Sequence, residues 1–179
     1  EDDDAFRISK NIVKERNISQ IKTTDELVKI IKRSKKKNYI KKIDESTKTF
    51  QAIRIFVNQE ISELIEGIIN ATKILKPGGK LIVISFHSIE DKIVKFYFKN
   101  FSKNHSRSNK YLPENIENLS LFENYKNKVI TANPNEVKKN PRSRSAKLRV
   151  AIRSENEFIE PKELRKKFKF LTDLENRIA

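Results

Sequence analysis

Between Thr47 and Leu75 apolar residues recur every three or four positions: Phe50, Ile53, Val57, Ile61, Leu64, Ile65, Ile68, Ile69 and Leu75. That spacing predicts a long amphipathic helix, broken once near Asn58 to Ser62. Lys76-Pro77-Gly78-Gly79 ends it, because proline cannot continue a helix and glycine permits a left-handed turn. The largely apolar run Leu81-Ile82-Val83-Ile84-Ser85-Phe86 follows and reads as a strand buried on both faces of a parallel sheet. Ser88 is placed to cap a further helix with Asp91 at its third position, Ile89, Ile93, Phe96 and Tyr97 facing inward. Helix, glycine turn, buried strand and helix in this order predict an open α/β sheet with helices on both faces.

Elsewhere the pattern is less regular. Asp3 to Asn17 has Phe6, Ile8, Ile12 and Val13 at helical spacing, interleaved with Arg7, Lys10, Lys14 and Arg16. A second helix opens at Thr23, whose hydroxyl can cap the amide of Glu26 while Glu26 reaches back, and Leu27, Ile30 and Ile31 form its apolar face. Lys32 to Lys42 holds seven basic residues and no acid, which predicts a mobile, solvated connection that either touches phosphate or is a plain charged loop. Lys103 to Lys126 is polar and lacks periodicity, predicting a long loop. Lys128 to Thr131 reads as a short strand. Ala146, Leu148, Val150 and Ile152 alternate with Lys147, Arg149, Ala151 and Arg153, predicting a strand at or near a sheet edge. Pro161 to Leu171 reads as a basic tail with helix potential.

Charge sharpens this picture. Lys and Arg total 39 against 24 Asp and Glu, a formal net charge of +15. Such an excess favours polyanionic partners through counterion release, nucleic acid first among them. The plain alternative is an AT-rich genome that inflates lysine everywhere. The chain has no cysteine and two histidines, His87 and His105, which excludes disulfides and thiolate chemistry and disfavours a protein-built zinc site. No apolar run approaches the roughly 18 residues of a membrane span, and the acidic start is the reverse of a signal peptide's basic region, so the expectation is a soluble, cytoplasmic protein. Without methionine, Glu1 is expected to be a processed end or the edge of a fragment.

Two segments carry candidate chemistry. In open α/β sheets ligands bind beyond the carboxyl ends of strands, which puts Phe86, His87 and Ser88 where a catalytic crevice would form. His87 either contacts a substrate nucleotide or satisfies a neighbouring backbone group. Ser88 and Asp91 either present the positive helix end to a ligand or simply cap it. The second segment is Asn140-Pro141-Arg142-Ser143-Arg144-Ser145-Ala146-Lys147-Leu148-Arg149, with four cations and two hydroxyls in a turn entering a strand. Arginine forks bind phosphate oxygens bidentately and serine hydroxyls add donors, so Asn140, Arg142, Arg144 and Lys147 are candidate RNA contacts. The alternative is a solvated edge strand with its basic positions outward.

Taken with Thr49-Phe50-Gln51-Ala52-Ile53-Arg54-Ile55, Val57-Asn58, Pro77-Gly78-Gly79-Lys80-Leu81 and Ile84-Ser85-Phe86-His87-Ser88-Ile89-Glu90-Asp91-Lys92-Ile93-Val94-Lys95, the segment Asn140 to Arg149 resembles the small-subunit ribosomal RNA (cytidine-N4) methyltransferase H family. The likeness extends over roughly residues 5 to 153. It implies the C-terminal part of a class I, Rossmann-like methyltransferase sheet (46–153), preceded by part of an inserted helical substrate-recognition domain (1–45) and followed by a basic tail (154–179). It also implies S-adenosylmethionine as methyl donor, small-subunit ribosomal RNA as partner, and His87 and Ser88 as catalytic-crevice residues. The family's glycine-rich donor loop, ribose-holding acid and catalytic-loop motif have no counterpart among these 179 residues, whose glycines are Gly67, Gly78 and Gly79. The donor site is therefore expected mostly outside this chain, in a missing N-terminal half or a complementing chain. The competing expectation is a catalytically inactive RNA-binding fragment or split-gene half.

Overall fold

A computed structural model describes residues 2–35, 44–103 and 120–177. The chain divides into two compact units, Glu1–Glu60 and Ile61–Ala179.

The first unit is helical. Helices α1 (Ala5–Ile18) and α2 (Thr24–Ser34) pack together, burying Ile8, Ile30 and Ile31. The capping box at the start of α2 forms as its sequence requires: Glu26 N–H donates to Thr23 Oγ1 at 3.2 Å and Thr23 N–H donates to the Glu26 carboxylate at 3.2 Å. The Lys22 amide, donating to the same carboxylate at 2.7 Å, and the Thr23 amide hold the Glu26 carboxyl below its ordinary range. The basic stretch expected to be a loose connection begins instead inside α2, which runs through Lys32 and Arg33. Lys35 is largely buried and pairs with Asp2 at 2.7 Å, because an acid from the chain's start is there to neutralise it. Residues 36–43 lie outside the described residues. Helix α3 (Thr47–Val57) follows, and α4 (Glu60–Ile74) begins after a break at Asn58 and Gln59, the latter at φ +52°. The predicted interruption of the long stripe is thus observed. Arg54 binds Glu60 through two nitrogens at 2.7 and 2.9 Å across it.

The second unit is mixed α/β. After α4 the chain turns at Gly78, where φ is +77°, and at Gly79, where a β-carbon would collide with the Leu75 side chain and the Lys76 carbonyl. Strand β1 (Lys80–Ser85), helix α5 (Ser88–Asn100), strand β2 (Ile130–Thr131), helix α6 (Pro134–Lys139), a 3₁₀ turn (Pro141–Ser145), strand β3 (Lys147–Ile152) and helix α7 (Lys162–Glu175) complete it. The sheet order is β1-β3-β2, and both pairings are antiparallel, with Ser85 opposite Lys147 and Thr131 opposite Lys147.

Two strand expectations are corrected. The strand through residues 81–86 is not an interior parallel strand; among the described residues it is an edge of an antiparallel sheet, with Ile82 and Ile84 more than half exposed. Its apolar run is compatible with burial on both sides, but α5 meets only the side of Val83 and Ser85. The strand at 147–152 is central rather than marginal, and its polarity is inverted. Arg149 and Ala151 point into the protein, and Leu148 and Val150 lie half-buried on the other face. Arg149 goes inward because a carboxylate on α5 awaits it.

The core lies under the inner sheet face. Ile93, Val94, Tyr97 and Phe98 of α5 are fully buried, and Ile61, Ile65, Ile68 and Ile69 of α4 are buried as well. Phe122 closes it with edge-to-face contacts to Tyr97 and Phe98, both at 5.2 Å between ring centres. Such pairs add about 0.5–1.5 kcal/mol each beyond area burial. Ser120 to Tyr125, expected as the end of a long polar loop, is therefore core: Leu121 and Phe122 are fully buried, and Phe122 bridges to Ser102 and Arg153. Residues 104–119 of that expected loop, with His105, are outside the described residues. Tyr97 donates its hydroxyl to Thr72 at 3.0 Å, and burial pushes its pKa up to about 12.

Helix α7 is anchored on α4 and α5. Leu164 is fully buried, Phe168 meets Phe96 edge to face at 5.6 Å, and Arg165 pairs with Glu66. Glu175 accepts hydrogen bonds from the Ile61 and Ser62 amides at 2.9 and 2.8 Å and from the Ser62 hydroxyl at 2.6 Å. An acid thus sits on the positive end of α4, where a helix dipole favours it.

Candidate nucleic-acid interface

The antiparallel ladder fixes the site. Because Ser85 is opposite Lys147, the residues just after β1 and those just before β3 emerge at the same end of the sheet. His87, Ser88, Asn140, Arg142, Arg144 and Lys147, all singled out from sequence, are gathered at that end of one unit. β2 also finishes there, Thr131 lying opposite Lys147.

Each is held differently. His87 rather than Ser88 caps α5: its backbone is extended, its Nδ1 accepts from the Glu90 amide at 3.4 Å, and Glu90 accepts in return from the amides of Phe86 and His87 at 2.8 and 3.2 Å. His87 Nε2 also lies 3.4 Å from the Glu90 carboxylate. Ser88 is therefore the first helical residue, and the expected Ser88/Asp91 cap is displaced by one position. The corner after β1 is rigid because its imidazole and carboxylate lock one another's backbone.

Asp91, released from capping, is the electrostatic hub. It is nearly buried and takes Arg149 through two bonds at 2.7 and 3.2 Å, and Lys147 at 3.2 Å. Burial pushes the Asp91 carboxyl upward, but hydrogen bonds and charge from Arg149 and Lys147 outweigh it and hold the pKa below its ordinary value. Arg149 in turn donates to the Tyr125 hydroxyl at 2.9 Å; burial works against its charge, and Asp91 and Tyr125 more than restore it. Lys147, a candidate RNA contact, is thus part of this cluster with its side chain partly in solvent.

The arginine turn is built for display. Asn140 caps the 3₁₀ turn, its side chain accepting from the Arg142 amide at 3.2 Å. Ser143 points inward and donates to the Asn140 carbonyl at 2.8 Å, so one of the two hydroxyls counted as RNA donors is spent on the turn. Arg142 and Arg144 are exposed and make no ion pair among the described residues. Two exposed cationic forks on a capped turn can hold a phosphodiester backbone.

Sequence reasoning missed Asp91 as an ion-pair partner, and with it Tyr125. It also missed Arg153, a buried arginine that donates to the carbonyls of Leu121, Ser154 and Asn156 at 3.0, 3.1 and 2.7 Å. The alternation of Arg149, Ala151 and Arg153 was the available signal; it marks one face, and only the tertiary pairing says which.

The chain matches the model of the MraW methylase family over residues 1–154. Curated relatives named ribosomal RNA small subunit methyltransferase H are similar over most of the chain. The protein of Ehrlichia chaffeensis is 46% identical over 149 residues, covering 82% of this chain and 46% of the relative. That of Rickettsia typhi is 45% identical over 148 residues (81% and 48%), and that of Bartonella henselae 43% over 154 residues (86% and 44%). The chain spans about half the length of these relatives. No helix among the described residues is long and apolar enough to cross a membrane. The sheet corner and the arginine turn both fall inside the matched stretch, and with 154 of its 179 residues so matched, the chain belongs to the MraW methylase family.

Proposed function

We propose that this chain is the C-terminal portion of an S-adenosylmethionine-dependent enzyme that methylates N4 of a cytidine in small-subunit ribosomal RNA, acting in the cytoplasm. The observation that carries the reading is the convergence of the His87–Ser88 corner and the exposed Arg142 and Arg144 on one sheet end, inside the stretch shared with the rRNA methyltransferases. In this reading Arg142 and Arg144 hold RNA phosphates, Asn140 sets their turn, and Lys147 and Asp91 fix the turn to α5. His87 and Ser88 border the nucleotide. An exocyclic cytosine amine is a poor nucleophile, its lone pair being delocalised into the ring, so holding it in line is the larger part of catalysis.

The described residues do not build a donor site. The loop after β1 contains no glycine, and Glu90, the acid beside it, is committed to the α5 cap. The Rossmann-like sheet would be completed by the half of the relatives that this chain does not match. Ile82, Ile84, Ile130, Leu148, Val150 and Ile152 form one apolar sheet face that nothing described covers. A face of that extent on a soluble unit marks an interface.

The test is the N4-methylcytidine content of small-subunit ribosomal RNA, read by nucleoside mass spectrometry with and without the gene. Loss of the modified nucleoside is expected; an unchanged level sinks the reading. A second reading, an inactive RNA-binding half, is favoured by the absence of donor-holding residues among those described. Titrating the chain with S-adenosylmethionine, alone and with a complementing half, separates the two: only the first needs donor binding in the complemented form.

A further inference from the structure

Helix α7 lies beyond residue 154, where the family match ends, so the reading above leaves it without a task. Its inner face, Leu164, Phe168, Leu171 and Glu175, repeats at intervals of three and four and is pinned to α4 and α5. Its outer face carries Lys162, Lys166 and Lys169, all exposed and without ion pairs among the described residues. One turn after Lys166, Phe170 stands 72% exposed. Beside this stripe Arg165, Lys166, Lys169, Thr172 and Asn176 border a cavity of about 510 Å³ shared with Ser62 and Glu66 of α4. Glu66, the acid of that cavity, is already paired with Arg165. Phe170 stands beside these ammonium groups, with Asp173 on the next turn. Neighbouring cations and a free aromatic face are the two elements by which single-stranded nucleic acid is gripped.

We infer that the outer face of α7 is an accessory site for single-stranded RNA, with Phe170 stacking on a base and Lys166 and Lys169 contacting the flanking phosphates. The choice of RNA as ligand rests on the substrate class proposed above. The rigid anchoring of α7 matters, because a ring on a fixed helix loses little freedom when a base stacks on it.

The test uses the full chain and a dye-labelled single-stranded oligoribonucleotide, followed by fluorescence anisotropy over a range of salt. Phe170→Ala is expected to weaken binding about ten-fold at fixed salt while leaving the salt slope unchanged. Lys166→Ala with Lys169→Ala is expected to reduce the slope of log affinity against log salt by about 1.4, two contacts on a single strand. The chain has no tryptophan, so Phe170→Trp supplies a lone indole whose emission RNA should quench. Circular dichroism melts of these variants should match the parent's, since the changed side chains are exposed. Parent-like RNA affinity in Phe170→Ala overturns the inference. So does an indole that responds to phosphatidylglycerol-containing vesicles and not to RNA, since the helix would then meet membrane. Arg142→Ala with Arg144→Ala runs in parallel: if that pair loses binding while Phe170→Ala does not, the α7 site falls and the methylation reading stands. The nucleoside assay tests that reading by itself.

Discussion

Asp91 shows how one carboxylate orders a region. It compensates Arg149 inside the protein and tethers Lys147 at the start of β3. Replacing it with alanine leaves a buried guanidinium without its counter-ion, a loss of about 3–5 kcal/mol, which should lower the melting temperature by roughly 10 °C. The pH dependence follows from the direction of its shift. The folded pKa lies below 3.8, so the pair contributes fully above that value and its contribution is lost as pH falls through the folded pKa. Thermal melts should show this share of stability intact down to about pH 4 and disappearing below, and Asp91→Asn should abolish that share of the acid sensitivity. Tyr97 behaves in the opposite sense: its pKa is raised, so its contribution persists to pH 10 and is lost as pH climbs through about 12. One of the four tyrosines should therefore ionise late in a spectrophotometric titration. None of this was legible beforehand. Asp91 was read as a capping residue, and Arg149 as outward, because side chains 58 positions apart leave no local mark.

At the scale of elements, local chemistry was readable and its tertiary use was not. The Thr23–Glu26 box, the interruption at Gln59 and the turn at Gly78 follow from short-range backbone rules, and each stands where the residues put it. The strand at 81–86 also formed, but periodicity cannot distinguish an edge from an interior position, because an apolar run describes only what its side chains tolerate. The cap of α5 slipped one residue for a related reason: histidine is a less usual cap than serine, and only the extended backbone at His87 decides between them. Helix α7 offers an element-scale test. Glu175→Ala removes the acceptor for two amides and a hydroxyl of α4 and should cost about 2 kcal/mol in denaturant unfolding. A truncation ending before Lys162 should cost more, since it also uncovers the site of Leu164.

For the molecule as a whole, one end of the sheet gathers charge while one face of it gathers hydrocarbon. The first predicts that Arg142→Ala with Arg144→Ala weakens binding to ribosomal RNA and flattens its salt dependence by about 1.4–1.8 in the logarithmic slope; an unchanged slope would remove those arginines from the interface. The second predicts self-association of the isolated chain. Sedimentation should show concentration-dependent oligomers, and Ile84→Lys with Val150→Lys should shift them to monomer without loss of helix content. His87 and Ser88 stand out in the sequence because a strand end followed by a polar corner is a recurrent place for ligands, and Asn140, Arg142, Arg144 and Lys147 because grouped cations and hydroxyls suit phosphate. Their convergence does not, since the antiparallel pairing of β1 with β3 spans 62 residues from Ser85 to Lys147.

The clasp of Glu175 on Ile61 and Ser62 joins positions 114 and 113 residues apart. During synthesis, the opening turn of α4 is made early and must wait for almost all of its unit before its final ligand leaves the ribosome. Nascent chains stalled short of residue 175 should yield to protease near Ile61, and chains extended past it by the length of the exit tunnel should resist. The order of translation thereby makes completion of this unit a late event, decided by a single side chain.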